Sequence, residues 1–245
     1  MFEIFTPGTV KPEADYLEIE RLGAKLGIPV PIMFIEVESK NSNGETVYKN
    51  RDRSRTFNRN FWNMVFTRLS GGPVQSSGPF GAGSLSVLDV TNTTNQLDAA
   101  SYQTNGLANP FNVPDFNIIS NSVNLTNGIF VGSGLAAESF NDHNLNALIT
   151  NGAGAGQLNF VPMVNTVPSY NAVTKEWSAP NARVFNNNTA LTITVTETAL
   201  FGFFNFTNGN GSRTMFERTL LVAPVPILPG GQLTVTYTMT LTFPA

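Results

Sequence analysis

Gln232-Leu-Thr-Val-Thr-Tyr-Thr-Met-Thr-Leu-Thr-Phe243 alternates without a break, with Leu233, Val235, Tyr237, Met239, Leu241 and Phe243 on one side and five threonines on the other. A half-buried β-strand satisfies a period of two and a helix does not, so one face of this segment meets a core and the other meets water. Upstream, Leu191, Ile193 and Val195 alternate with Thr192, Thr194 and Thr196 in the same way. Between the two stretches, Asn208-Gly-Asn-Gly211 and Pro229-Gly-Gly231 supply residues that tolerate positive φ. The expectation for residues 183–243 is an antiparallel meander of three or four strands.

Two charges interrupt these apolar faces. Counting by twos from Leu191, Ile193 and Val195 places Glu197 inward, and counting along Phe216, Leu220 and Val222 places Arg218 inward. An unpaired carboxylate in a core is costly. The pattern therefore predicts a structural ion pair between Glu197 and Arg218, with Arg183 as the alternative partner. The competing reading is a bulge near Ala199 that turns Glu197 out to water.

Composition sets the frame around this scaffold. Charged residues make up 13% of the 245-residue chain, about half of the roughly 25% usual for soluble domains. Of the 31 charged side chains, 19 precede Gly71. The neutral, hydrogen-bonding remainder is of a kind that self-associates or sits inside an assembly. A net charge of −3 gives no electrostatic reason for nucleic-acid binding, which is not expected. No apolar run reaches the 18 or so residues of a membrane span, and the N-terminus does not read as a secretory signal, so synthesis in a cytoplasm without membrane association is expected. The absence of cysteine excludes disulfides and thiolate chemistry.

Residues 1–30 read as an N-terminal arm with a short helix over Glu13–Leu26, stopped by Gly27. Residues 31–245 read as a single β domain. It opens with a hairpin that reverses at Asn43-Gly44. A helix near 58–70 carries Phe61, Trp62, Val65, Phe66 and Leu69 and ends at Gly71-Gly72. Arg51, Arg53 and Arg55 share one strand face, which suits an acidic protein partner or simple solvation better than nucleic acid. Residues 73–127 read as long loops, 139–149 as a short helix or turn, and 165–182 as loop again. The fold class expected is a mainly β, antiparallel β-sandwich of jelly-roll type, with one or two short helices.

Catalytic patterns are sought without success, and the expectation is a protein that is not an enzyme and carries no cofactor or metal. His143 is the single histidine, and Ser133 lacks the flanking glycines of a nucleophile elbow. Gly152-Ala-Gly-Ala-Gly156 is not followed by the Lys-Ser or Lys-Thr of a phosphate loop. Glu36 and Glu38 read as a solvated pair. Calcium has no closing glutamate near Asn43, Asn92 or Asn208.

The order of several short pieces is informative. Gly128-Ile-Phe-Val-Gly-Ser-Gly134, Asp142 with Leu145 and Ile149, and Gly154-Ala-Gly-Gln-Leu-Asn-Phe160 come first. Arg183-Val-Phe-Asn-Asn, Glu197-Thr-Ala-Leu, Glu217-Arg-Thr-Leu-Leu, Pro224-Val and Gly231-Gln-Leu-Thr-Val-Thr-Tyr-Thr follow, with a fainter echo in Ser54-Arg-Thr-Phe-Asn-Arg-Asn-Phe-Trp62. Together they resemble a pattern of virion structural proteins of tailed bacteriophages and prophages. The resemblance implies a capsid (head-decoration), neck or tail component, present in many copies and assembling with copies of itself and other virion proteins. The alternative is a carbohydrate- or receptor-binding module on the particle surface.

Overall fold

The computed structural model describes residues 13–54, 57–70, 86–96, 127–163, 167–205 and 211–243. In chain order the elements are α1 (Glu13–Leu26), β1 (Val30–Lys40), β2 (Thr46–Arg53), α2 (Arg59–Ser70), β3 (Ser86–Leu88), β4 (Thr94–Gln96), β5 (Gly128–Gly132), β6 (Asn159–Phe160), β7 (Ser169–Asn171), β8 (Glu176–Asn186), β9 (Ile193–Asn205), β10 (Gly211–Ile227) and β11 (Gln232–Thr242). The protein is mainly β, its strand pairings are antiparallel, and it has two short helices. Contacts divide it into two compact units: residues 1–55, 150–195 and 223–245 form the first, and 56–149 with 196–222 the second. Residue 30 is not one of the boundaries, and α1 belongs with the first unit.

The first unit is built on a sheet of order β2-β1-β11-β8-β6, with β7 also paired to β8. Its rows run across the strands as Ser39, Leu233, Phe185 and as Val37, Val235, Arg183, all buried. Val225 and Ile227 at the end of β10, together with Leu158, Ile193 and Val195, join the buried apolar set of this unit. Two side chains tie these layers together. Ser39 Oγ donates to Pro226 O at 2.8 Å, and Asn187 Nδ2 donates to Ile227 O at 2.8 Å.

The expected meander does not form. β9 and β10 pair with each other, whereas β11 lies between β1 and β8. The Pro229–Gly231 turn decides this. Gly231 passes so close to the end of β1 that a Cβ there would lie 2.6 Å from Lys40 O. The end of β8 grips the same turn, Asn187 N donating to Gly231 O and Gly230 N to Asn187 O, both at 2.9 Å. The chain is thereby delivered beside β1 instead of back along β10. The loop expected over 165–182 is also corrected, since it contains β7 and the first half of β8. Its Ser, Ala and Pro residues carry little strand propensity, but β11 pairs with β8 along its whole length. Pro180 sits between the stretches paired to β7 and β6, where its missing N–H disrupts no described ladder on that side.

The β1–β2 hairpin forms at Asn43-Gly44 as expected. On its outer face Lys49 lies 3.1 Å from Glu36, Lys40 lies 3.7 Å from Glu38, and Thr46 donates to Glu38. The two glutamates are therefore charge-compensated on the surface. α1 stops where expected, with Gly27 N donating to Ala24 O and Ile28 N to Gly23 O. It docks through Tyr16, Glu20 and Gly23. Glu20 Oε1 lies 2.5 Å from Arg53 Nη1, and a Cβ on Gly23 would collide with Val30.

In the second unit, β9 is flanked by β5 and β10. One-sided burial was the expectation, but residues 195–202 of β9 and 214–219 of β10 are buried on both faces. Thr196, assigned to water, is inside, its Oγ1 donating to Gly134 O at 2.7 Å, and so is Thr198, whose Oγ1 donates to Phe130 O at 3.1 Å. Their hydroxyls reach backbone carbonyls, which removes the cost of burying them. Conversely, Leu191, just before β9, and Val222, within β10, both counted inward, are exposed. The turn expected at 208–211 falls largely outside the described residues, as do most of the loops expected over 73–127, except the small β3–β4 hairpin.

The second helix is anchored by asparagines. Asn58 caps α2 by accepting from Phe61 N, and its Nδ2 donates to Asp142 O and Met215 O. Asn60 exchanges two bonds with the Leu88 backbone, and Asn63 donates to Ser86 O. Between them Met64 packs with Val87 and Phe216. Trp62, assigned to the same apolar stripe, is 37% exposed. Asn58→Ala removes a cap and three bonds from a buried site. It is expected to cost about 2 kcal/mol, seen as a fall in the urea midpoint with an unchanged m-value.

Candidate functional site

The densest constellation of polar groups lies in the second unit, around Glu197. β9 carries this residue in from one strand and β10 carries Arg218 in from its neighbour, and both are buried, at 0% and 2% exposure. Arg218 Nε donates to Glu197 Oε2 at 2.7 Å. Arg218 Nη1 reaches Asp142 Oδ2 at 2.9 Å and Ala137 O at 3.3 Å, and Nη2 reaches Ala136 O at 2.7 Å. Glu197 in turn accepts from Gly134 N and Ala147 N at Oε1 and from Asn146 N at Oε2. Two side chains thus tether both arms of the loop 133–147. Burial opposes the charge on Arg218, but the hydrogen bonds from Glu197 and Asp142 more than offset it and hold its pKa above the ordinary value.

The glycines of Gly128-Ile-Phe-Val-Gly-Ser-Gly134 belong to the same construction. A Cβ on Gly132 would lie 2.5 Å from Glu197 Oε1 and 2.6 Å from Ala147 O, and one on Gly134 would lie 2.5 Å from Glu197 Oε1. The carboxylate occupies the space that side chains would fill. With each of its oxygens accepting two bonds and no exposed surface, Glu197 works as a tether and has no open side for a substrate.

Of the residues singled out from the sequence, the structure brings Glu197 and Arg218 together in the second unit. Arg183 lies on β8 in the first unit, buried, with its guanidinium carbon 5.7 Å from the Phe160 ring centroid, and burial lowers its pKa to about 10. The outward bulge for Glu197 is overturned by its complete burial. Arg51 is exposed and lies 4.3 Å over the Phe34 ring. Arg53 is buried against Glu20 and 5.2 Å from the Tyr16 ring centroid, so what covers it is this chain's own α1. Arg55 lies outside the described residues. Arg53→Met is expected to loosen α1 by about 2 kcal/mol. Trypsin should then cut after Arg21 and Lys25 several-fold faster, which timed mass spectrometry reads.

His143 sits half-buried in the turn beside Asp142. Sequence reasoning missed Asp142 as a partner of Arg218, and with it the role of Gly132, Gly134 and the Asn146 and Ala147 amides. The signal available was the quoted order of Gly-x-Gly, Asp142 and Glu197, which the fold gathers into one network. Among the described residues no group of three or more His, Asp or Glu is placed to hold a metal ion, and no helix is long and apolar enough to cross a membrane.

The first unit has one further concave feature. A groove of about 340 Å³ is lined by Glu20, Ala24, Ile28, Val30, Ile32, Thr242 and Phe243. No family model, no curated protein and no solved structure matches this chain.

Proposed function

We propose that the protein is a structural component of a bacteriophage virion, a head-decoration, neck or tail subunit that acts by assembling with copies of itself and with other virion proteins. In this reading the two-layered first unit is an antiparallel β-sandwich of jelly-roll type. The carrying observation is how the buried ionisable groups are used. Glu197, Arg218 and Asp142 hold a loop in place instead of lining a cavity, while apolar side chains of α1 are left on the surface. That is the distribution of a subunit whose chemistry is shape. Four of the pieces that resemble virion proteins, those holding Gly134, Asp142, Glu197 and Arg218, meet in this tether, which supports the reading further. Particles produced from the genome that encodes the chain test it. Quantitative mass spectrometry of purified particles and antibody-gold labelling should find the protein in many copies at one location, and its absence from intact particles would sink the proposal.

One observation favours the second reading, a glycan- or receptor-binding surface module. Trp62 and Phe140 in the second unit are 37% and 43% exposed, and exposed rings are stacking surfaces for sugars. Saturable binding on a glycan array, lost in Trp62→Ala, would favour it.

A further inference from the structure

Among the described residues, α1 docks through one face and leaves an apolar one exposed. Tyr16, Glu20 and Gly23 lie on the docked side. Ile19, Leu22 and Leu26, spaced by three and four residues, form a separate stripe and are 51%, 39% and 66% exposed. A stripe at that spacing is the seam by which one helix packs against another. Beside it the helix is charged asymmetrically, with Asp15 and Glu18 in its first half and Arg21 and Lys25 in its second. Glu18 and Arg21 bridge each other at 2.6 Å, but both are more than half exposed, so that bridge is weak and exchangeable.

A helix acidic at one end and basic at the other is complementary to itself turned end for end. We infer that this face is where two copies of the chain meet, their α1 helices packed antiparallel about a twofold axis near Leu22. Leu22 then meets its own copy, Ile19 meets Leu26, and Glu18 faces Lys25. The interface is isologous, as a closed dimer requires. A helix of 14 residues spans only about 21 Å, so this contact falls at the weak end of interface sizes. The groove along Ile28 and Phe243 continues the apolar surface beside it. The inference deepens the assembly reading above and rests on it.

The chain contains no cysteine, which makes crosslinking a clean test. Under mild oxidation Leu22→Cys should crosslink to itself. Ile19→Cys and Leu26→Cys should crosslink to each other when mixed, and neither to itself. Self-crosslinking of Ile19→Cys instead would overturn the antiparallel geometry. In sedimentation equilibrium of the full chain, Leu22→Glu should weaken association at least thirty-fold, the effect of a central anchor. Glu18→Lys should weaken it several-fold, and adding Lys25→Glu should restore it. These are surface positions, and melting curves check that each variant is folded. If a multimer persists unchanged in Leu22→Glu and in Glu18→Lys, the helix pairing falls and the assembly reading stands. A wild-type chain that stays monomeric at several hundred micromolar overturns the pairing, and its absence from particles would separately overturn the assembly reading.

Discussion

Glu197→Gln is expected to lower the melting temperature by on the order of 10 °C. The substitution keeps the size of the side chain and one acceptor oxygen. It turns an amide NH2 toward either the Gly134 and Ala147 amides or the Asn146 amide and Arg218, all of which are donors. Arg218 loses a full charge partner and keeps its bond to Asp142. Breaking a buried pair by removing one member typically costs about 3–5 kcal/mol, and each kcal/mol shifts the midpoint by about 2–4 °C in a domain of 150–250 residues. Arg218→Met should cost a similar amount, because it strands Glu197 and frees the carbonyls of Ala136 and Ala137. The two losses should not add, since both variants break the same network. Near-ultraviolet circular dichroism melts of the two single variants and the double variant measure this. An unchanged midpoint in Glu197→Gln would mean that the tether contributes nothing to stability.

Gly132→Ala should destabilise the protein nearly as much, by about 3 kcal/mol, although it adds a single methyl group. The new Cβ would meet Glu197 Oε1 at 2.5 Å and the backbone oxygen of Ala147 at 2.6 Å. A flexible side-chain tip can yield, but Ala147 O already accepts from Ser133 N at 2.8 Å, and Ile149 N donates to Val131 O across the same contact. The 147–149 segment must therefore move away from β5. Hydrogen exchange should show faster exchange at the Ser133 and Ile149 amides in the variant. Ser133→Ala, at the exposed position between the two glycines, is the control and should stay within about 0.5 kcal/mol. Equal stability of the two variants would show that the close approach is not required.

Much of the framework was legible because one-dimensional periodicity reports burial wherever one face of a strand is wet. β1, β11 and the start of β9 have this property, and the hairpin at Gly44 and the helix stop at Gly27 announce themselves through glycine. The same periodicity misled at Leu191 and Val222, which keep the alternation and are nevertheless exposed. It also sent Thr196 to water, because counting cannot tell that a loop lies on the second face. The hairpin of β7 and β8 was illegible for a different reason. Its Ser, Ala and Pro residues have no preference of their own for strand, and the pairing with β11 overrides them.

Glu197 and Arg218 were identifiable as misplaced charges of opposite sign, because an inward charge needs a partner whatever the topology. Which partner it takes is a matter of distance in space. Arg183 satisfied the same logic and belongs to another compact unit, while Asp142, in a turn with no periodicity, completes the network. Local sequence thus sets which residues turn inward, since that depends on propensity and hydrophobic alternation within a few positions. Which strands become neighbours, where β11 inserts and which loop the carboxylate holds depend on contacts between residues far apart in the chain. Those contacts are chosen by packing and by the pairing of buried polar groups, and neither leaves a periodic trace.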